Sequence, residues 1–153
     1  MNEKYELIVE NDANIKDEFK LKQIIGKRIL SKDAEVISKV KDVIIKDFNL
    51  IGIIFKKGFK TIYLDKKYIE SINEKSIMLN VNLSISLLGK QVIDKNGLIV
   101  GRVKKVIRKN NSNTLVELIV KKGIFGKEIS ILNGAISKVS EMIILNKEID
   151  EIK

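Results

Sequence analysis

Two lysine pairs, Lys56–Lys57 and Lys121–Lys122, are repeated in the sequence and are candidates for binding an anionic group. Each pair stands just before a glycine and an apolar residue, in the stretches "KKGF" and "KKGI". Adjacent ammonium groups attract the phosphates of RNA or of lipid headgroups, because each carries a full positive charge. Lysines also protect an exposed sheet edge from pairing with another chain. The sequence leaves both functions open.

Catalysis and metal binding find little support in the residue types. The chain has no Cys and no His, which excludes disulfides, thiol redox chemistry, Cys/His zinc sites and every triad that needs an imidazole or a thiol. No calcium-loop or glycine-rich phosphate-loop pattern is present. Asp42 beside Lys41 is a carboxylate next to an ammonium, and we interpret it as a surface charge. We therefore expect no catalytic residue, no metal site, no cofactor and no enzymatic activity.

The net charge of +9 is unevenly distributed along the 153 residues. Residues 1–22 carry four Lys and six acids, which gives −2. Residues 26–80 carry twelve basic and seven acidic side chains (+5), and residues 89–146 carry eleven and four (+7). A basic field attracts anionic partners, but a charge excess is also typical of a solvated surface. Both interpretations stay open.

The sequence contains an internal repeat. The phrase "GKRILSKDAEVISKVKDVI" begins at Gly26, and "GKQVIDKNGLIVGRVKKVI" begins 63 positions later at Gly89. The correspondence continues downstream at offsets of 65 and then 67. This pattern predicts two tandem units of about 55 residues each. We divide the chain into an acidic N-terminal segment (1–23), a first unit (24–82), a second unit (83–148) and a tail (149–153).

Both units have the pattern of small β-structures. Their short segments rich in Ile and Val favour strands, and Asn96–Gly97 is typical of a tight hairpin turn. The first copy has Ala34 at that turn, so the turn must differ or carry strain. The alternation of Val36, Ser38 and Val40 slips by one residue at Lys41, which predicts a β-bulge.

The second copy repeats this pattern. Ile99, Gly101 and Val103 alternate and then slip at Lys104, and the small residues Ser38 and Gly101 would let the sheet coil sharply. Apolar residues three apart near the end of each copy, Ile69 with Ile72 and Ile136 with Val139, predict a helical turn at a barrel end.

The sequence also allows predictions for the N-terminal segment and for the contact between the two units. The N-terminal "YELIV" could add an edge strand, "IKDEFKLKQII" could form a short helix, and we favour a partly ordered segment. Units this small bury little surface alone, so we expect them to pack against each other.

The two phrases resemble the first hairpin of the PRC-barrel domain. They share its Gly-Lys opening, short strand, turn, and long strand of the form Gly/Ser-[Lys/Arg]-Val-Lys-[Asp/Lys]-Val-Ile. The resemblance covers residues 24–146 and implies an all-β chain of two small tandem PRC-like β-barrels with a partly ordered N-terminal segment. Ala34 and Ser38 depart from the glycines that the family favours. The family has no shared catalytic residues.

The resemblance implies a non-catalytic protein-interaction module, an adaptor or scaffold like those of small archaeal PRC-barrel proteins. One branch of that family acts in cell division beside SepF and FtsZ. The alternative is an RNA-binding or ribosome-maturation partner of the RimM type. A homo-oligomer is a further expectation. No apolar run reaches the length of a transmembrane helix, so we expect a cytoplasmic protein, recruited to the membrane or division site through a partner.

The partner surface is predicted at two hairpin tips. Ile124 and Phe125 lie between two glycines in "KKGIFGKE", and Phe59 lies at the corresponding place in the first copy. Apolar residues at a hairpin tip reach their own core with difficulty, so they could contact a partner. They could also fold back onto the barrel mouth or the sister unit. With the flanking lysines, the hypothesis for partner binding comprises Ile124, Phe125, Phe59, Lys56, Lys57, Lys121 and Lys122.

Overall fold

A computed structural model describes residues 21–152 of the chain. The predictions for "YELIV" and for the order of the N-terminal segment lie outside these residues. The described part of "IKDEFKLKQII" contains one short helix, α1 (Leu21–Ile24), which packs beside the first unit. Within residues 21–152, no helix is long and apolar enough to cross a membrane.

Twelve strands form two six-stranded sheets with the same strand order. The first sheet runs β4-β3-β2-β1-β6-β5, with bounds β1 (Arg28–Leu30), β2 (Val36–Lys46), β3 (Asn49–Lys57), β4 (Lys60–Asp65), β5 (Ile69–Ile72) and β6 (Ser76–Leu79). The second runs β10-β9-β8-β7-β12-β11, with bounds β7 (Gln91–Ile93), β8 (Ile99–Arg108), β9 (Leu115–Lys121), β10 (Glu128–Leu132), β11 (Ile136–Val139) and β12 (Ile143–Leu145). The predicted all-β fold of two tandem barrel-like units is confirmed.

Each sheet contains one parallel strand pair. β6 lies parallel to β1 and β12 lies parallel to β7, whereas every other strand pair in the two sheets is antiparallel. The final strand of each unit therefore returns beside the first strand. This return, which the sequence pattern did not predict, brings the end of each unit beside the Gly-Lys phrase that opens it.

The predicted bulges at Lys41 and Lys104 are confirmed. The pairing of β2 with β3 shifts register across Lys41, and the pairing of β8 with β9 shifts across Lys104. Each lysine is an extra residue that increases the local twist of the long strand. This bend lets one strand belong to both halves of a curled sheet.

A second bulge in the same strands was not predicted. β2 shifts register against β1 across Ile37, and β8 shifts against β7 across Val100. The inward positions are therefore Ile37 and Val100, both buried, whereas Val36 and Ile99 are more than half exposed. The predicted alternation from Val36 and Ile99 was wrong at its first residue, because an earlier phase slip had gone unnoticed.

The helical turn exists in each unit, but not over the apolar pair. A 3-10 turn covers Lys66–Tyr68 in the first unit and Asn133–Ala135 in the second. The apolar residues that follow lie in β5 and β11. Their spacing of three comes from a bulge, since each of these strands shifts register against its neighbour between the two apolar residues.

The turn after β1 carries the strain that its sequence implies. Ala34 has a φ of 63°, and its amide donates to the carbonyl oxygen of Ser31 at 2.9 Å. Gly97 occupies the same place in the second unit, with a φ of 83° and a bond to the carbonyl of Asp94 at 3.1 Å. The turn therefore does not differ between the copies, and Ala34 takes the left-handed conformation at a cost of about 1–2 kcal/mol.

The two units pack through the segment that joins them. Leu83, Ile85 and Leu87 of this linker are buried and belong to a hydrophobic cluster that includes core residues of both sheets. Asn113, in the loop between β8 and β9, accepts from the Ser84 amide at 2.7 Å and donates to the Asn82 carbonyl at 2.8 Å. The expected contact between the units is therefore present.

Candidate partner-binding site

The hairpin tip between β9 and β10 presents two apolar side chains to solvent. Ile124 is 81% exposed and Phe125 is 98% exposed. Gly123 begins the turn with a φ of 68°, and a side chain at Gly126 would overlap the carbonyl of Lys122. The two glycines thus allow a tight loop that holds the apolar pair away from the core. The tip therefore does not fold back onto the barrel, which was the alternative prediction.

The corresponding tip of the first unit is shorter and carries one apolar side chain. Phe59 is completely exposed, beside Gly58 at a φ of 59°. A methyl group placed on Gly58 would meet the Leu88 side chain at 3.3 Å. This tip therefore lies against the linker, while its phenyl ring still faces solvent.

The four predicted lysines do not have equal exposure. Lys56 and Lys122 are exposed, whereas Lys57 and Lys121 are half-buried along their strands. The ammonium group of Lys57 lies 3.5 Å from the carbonyl oxygen of Ile37. The structure places each pair directly beside its own hairpin tip, so positive charge and apolar surface are adjacent in both units.

A groove of about 420 Å³ opens beside the second tip. Four cationic side chains line it, and none of its described lining residues is acidic: Arg102, Lys104, Lys121 and Lys122. Glycines, apolar residues and one amide complete the lining: Gln91, Ile99, Gly101, Gly123 and Ile124. We call this the cationic groove. It joins two of the predicted lysines to Arg102 and Lys104, which were not predicted as site residues.

Another exposed aromatic was also missed. Phe48 is fully exposed in the two-residue turn between β2 and β3, where Asp47 and Phe48 both have positive φ. The side-chain amide of Asn49 donates to the Asp47 carbonyl at 2.9 Å and supports the turn. Glycine usually occupies the second position of such turns, so Phe48 at that position gave "KDFN" no clear turn signal. Its only clue was an aromatic residue between polar ones.

The lysine of each Gly-Lys phrase stabilises the fold through hydrogen bonds to backbone carbonyl groups. Lys27 is buried, and its ammonium donates to the carbonyls of Asn73 and Glu74 at 2.5 Å each. Lys90, its counterpart, donates to the carbonyl of Ser140 and lies 3.3 Å from the carboxylate of Glu35 in the first unit. Each lysine thus ties the turn before the last strand of its unit to the start of that unit.

One carboxylate in the second unit is held by backbone amides. Asp94 is buried and accepts from the amides of Asn96 and Leu98 at 2.9 and 2.8 Å, and from Ile149 at 3.3 Å. Burial raises the pKa of Asp94, but these amides and the nearby Lys95 outweigh burial and lower the pKa overall. A carboxylate bound in this way stabilises a turn and is not available as a base.

The described residues offer no metal centre. Within residues 21–152, no group of three or more Asp or Glu side chains is placed to hold an ion. Asp42 is exposed, and its carboxylate accepts from the adjacent Val43 amide at 2.8 Å. Its position at the bulge agrees with the interpretation as a surface charge. The groups that this surface presents are apolar side chains at the second tip and cationic side chains in the groove.

Comparison with known proteins gives one family. Residues 16–84 match the family described as "PRC-barrel domain". This stretch contains all six strands of the first sheet. No curated protein matches the chain. The second unit lies beyond the matched residues, and it repeats the strand order and the bulges of the first.

Proposed function

We propose that this chain, whose residues 16–84 match the PRC-barrel domain family, is a non-catalytic protein-interaction module that acts as an adaptor or scaffold. The observation that supports this most directly is the exposure of Ile124 and Phe125 at the second hairpin tip. Burying such a side chain in a partner would contribute about 1.5–3 kcal/mol. Two adjacent residues of this kind form a compact apolar anchor.

The charged residues next to the second tip indicate what kind of partner surface would fit it. Lys121 and Lys122 precede it, and Lys127 follows it. An apolar anchor surrounded by lysines fits an apolar pocket with an acidic rim, because opposite charges steer the encounter and the apolar contact supplies affinity. The proposed partner is therefore a protein with an acidic surface.

The first tip gives the chain a second contact. Phe59 with Lys56 and Lys57 repeats the combination of apolar and cationic groups. Two contacts on one folded chain can bridge two partners, or hold one oligomeric partner with increased avidity. This supports an adaptor role.

A finer proposal follows from the family resemblance alone. One branch of the small archaeal proteins of this family acts in cell division, so we propose a SepF-like or FtsZ-associated protein as the partner and the division site as the place of action. Direct titration of the purified chain with SepF would test this. Absence of binding at micromolar concentrations would contradict this finer proposal without affecting the proposed adaptor role.

The general proposal is tested by replacing Ile124 and Phe125 with Ser and capturing partners from native extract. The matched control replaces Val116 and Leu132, two other exposed apolar residues of the second unit, with Ser. The tip variant should lose proteins that the native chain and the control both retain. If the tip variant and the native chain retain the same proteins, the second tip is not the binding surface.

RNA binding is the second candidate, and the cationic groove is the observation that favours it. Affinity for single-stranded RNA should then fall with salt, with a log–log slope of about −0.7 per neutralised phosphate. Replacement of Lys56, Lys57, Lys121 and Lys122 with Glu should abolish it. Tight binding that ignores salt, or no binding at low salt, would remove this candidate.

A further inference from the structure

We propose that the cationic groove binds an acidic segment of the protein partner, with carboxylates at its basic walls and an apolar side chain against Ile124. This inference rests on the proposed function and adds a defined site and ligand class to it. The groove and the second tip share Ile124, so one extended segment could contact both.

The cationic side chains of the groove favour an anionic ligand. Arg102 donates to the Gly89 carbonyl at 3.3 Å, a bond that uses one of its five N–H groups. Within residues 21–152, the ion pairs join Lys90 to Glu35 and Lys95 to Glu148, and neither includes a residue of the groove. No ion pair within residues 21–152 therefore neutralises the four cationic side chains, and a carboxylate placed among them would be attracted.

The floor of the groove distinguishes the second unit from the first. Gly101 has no side chain, and a Cβ there would lie 2.5 Å from the carbonyl oxygen of Lys121. Ser38 occupies the equivalent position in the first unit, where its hydroxyl donates to the Lys56 carbonyl at 2.6 Å. In the second unit the backbone of Lys121 and Lys122 lies where the first unit has the serine side chain. The first unit has comparable charge nearby, in Lys39 and Lys41, but a serine in place of the glycine at the floor.

The apolar lining favours a peptide over RNA or a membrane. Among the residues that the structure describes, no aromatic side chain lines the groove, and stacking on aromatic side chains is the usual way to hold an unpaired base. Its apolar walls are the aliphatic side chains of Ile99 and Ile124. A recessed groove of about 420 Å³ accepts a few side chains, whereas a membrane surface would meet the projecting tip first.

The test titrates the ¹⁵N-labelled full chain with a synthetic ten-residue peptide of glutamates flanking two leucines. Amide shifts should concentrate on Arg102, Lys104, Lys121 and Lys122. The double variant Arg102→Glu with Lys104→Glu should bind at least tenfold more weakly. The equivalent change in the first unit, Lys39→Glu with Lys41→Glu, alters net charge identically and should change affinity less than twofold. All four side chains are exposed, so melting temperatures should stay within a few degrees.

Several outcomes would overturn the proposal. An equal loss of peptide affinity in the two double variants would show an effect of net charge alone. No peptide binding at low salt would show that the groove does not bind acidic segments. Equal binding of a peptide with Gln in place of Glu would remove the anionic contact. Tighter binding of single-stranded RNA or of phosphatidylserine vesicles at the same residues would assign the groove to another ligand. If Arg102→Glu with Lys104→Glu still captures the partner and the tip variant does not, the groove proposal fails while the proposed function stands.

Discussion

Gly101 lies so close to Lys121 that a Cβ on the glycine would be 2.5 Å from the lysine carbonyl oxygen. Gly101→Ala should therefore displace backbone and destabilise the fold by about 1–3 kcal/mol, as overpacked sites do. Chemical denaturation followed by circular dichroism measures the difference. Gly134→Ala is the matched control, because a Cβ at Gly134 meets no atom within 4 Å and should change stability little. A neutral Gly101→Ala would show that β8 and β9 separate easily.

Asp94 makes stability depend on pH in the acidic range. Its pKa in the folded chain is lowered from the ordinary value of 3.8, since amide hydrogen bonds outweigh burial. The unfolded chain therefore binds the proton more readily. The stabilisation is complete above the unfolded pKa and is lost as pH falls through the folded pKa.

Replacement of Asp94 tests this dependence. Asp94→Asn should lower stability at neutral pH and flatten the acidic limb of a plot of unfolding free energy against pH. Asp94→Ser, which copies Ser31 of the first unit, should behave likewise. Glu148 also has a lowered pKa, caused by hydrogen bonds from Asn96 and Lys95 and by the Lys95 charge. Glu148→Gln therefore measures how much Glu148 contributes to the pH dependence of the unfolding free energy. If Asp94→Asn leaves the acidic limb unchanged, the pH dependence does not come from Asp94.

Lys90 should contribute more to stability than a surface lysine. Its ammonium donates to the Ser140 carbonyl and pairs with Glu35 at 3.3 Å. Lys90→Met removes both contacts and should cost about 1–3 kcal/mol, because it leaves a half-buried carbonyl without its donor. Lys95→Met removes the pair with Glu148, in which both side chains are 44% exposed, and a weaker attraction to Asp94, and should cost less than about 1 kcal/mol. Equal urea midpoints for the two variants would contradict this role of Lys90.

The repeat made much of the fold predictable from the sequence. Two copies of one phrase gave the tandem units, and the slip at Lys41 and Lys104 gave the bulges, because an odd step in an alternating pattern is typical of one extra residue in a strand. The first slip, at Ile37 and Val100, went unnoticed because the residue before each of them, Val36 or Ile99, is also apolar. A run such as "LIV" satisfies either phase, so alternation cannot choose which face is buried.

The candidate site was only half predictable. Ile124 and Phe125 were found because glycines and lysines bracket them, and local sequence decides exposure at a hairpin tip. Arg102 and Lys104 join Lys121 and Lys122 only through the pairing of β8 with β9. Contacts between residues this distant in sequence follow from register, which no short motif encodes. The partner role of the tips stays a prediction.

The packing of the two units predicts one cooperative unfolding transition. Leu83, Ile85 and Leu87 are buried between them, and Asn113 binds the linker through the Ser84 amide and the Asn82 carbonyl. The chain has no Trp, and residues 83–148 contain no Tyr, so tyrosine fluorescence reports on the first unit and the N-terminal segment. Far-ultraviolet circular dichroism reports on both sheets, and the two signals should have the same urea midpoint.

Asn113→Ala should lower that midpoint by removing the polar contacts of the loop with the linker, at a cost of about 1–3 kcal/mol. The effect should be the same in fluorescence and in circular dichroism, because loss of a contact in the second unit destabilises the first unit only if the two unfold together. Asn110→Ala, in the same loop but exposed with a φ of 51°, is the control. Asn110→Ala should alter stability only because alanine is less favourable than asparagine at a positive φ. If the fluorescence midpoint of Asn113→Ala equals that of the native chain while the dichroism midpoint falls, the units unfold independently and the buried linker does not couple them.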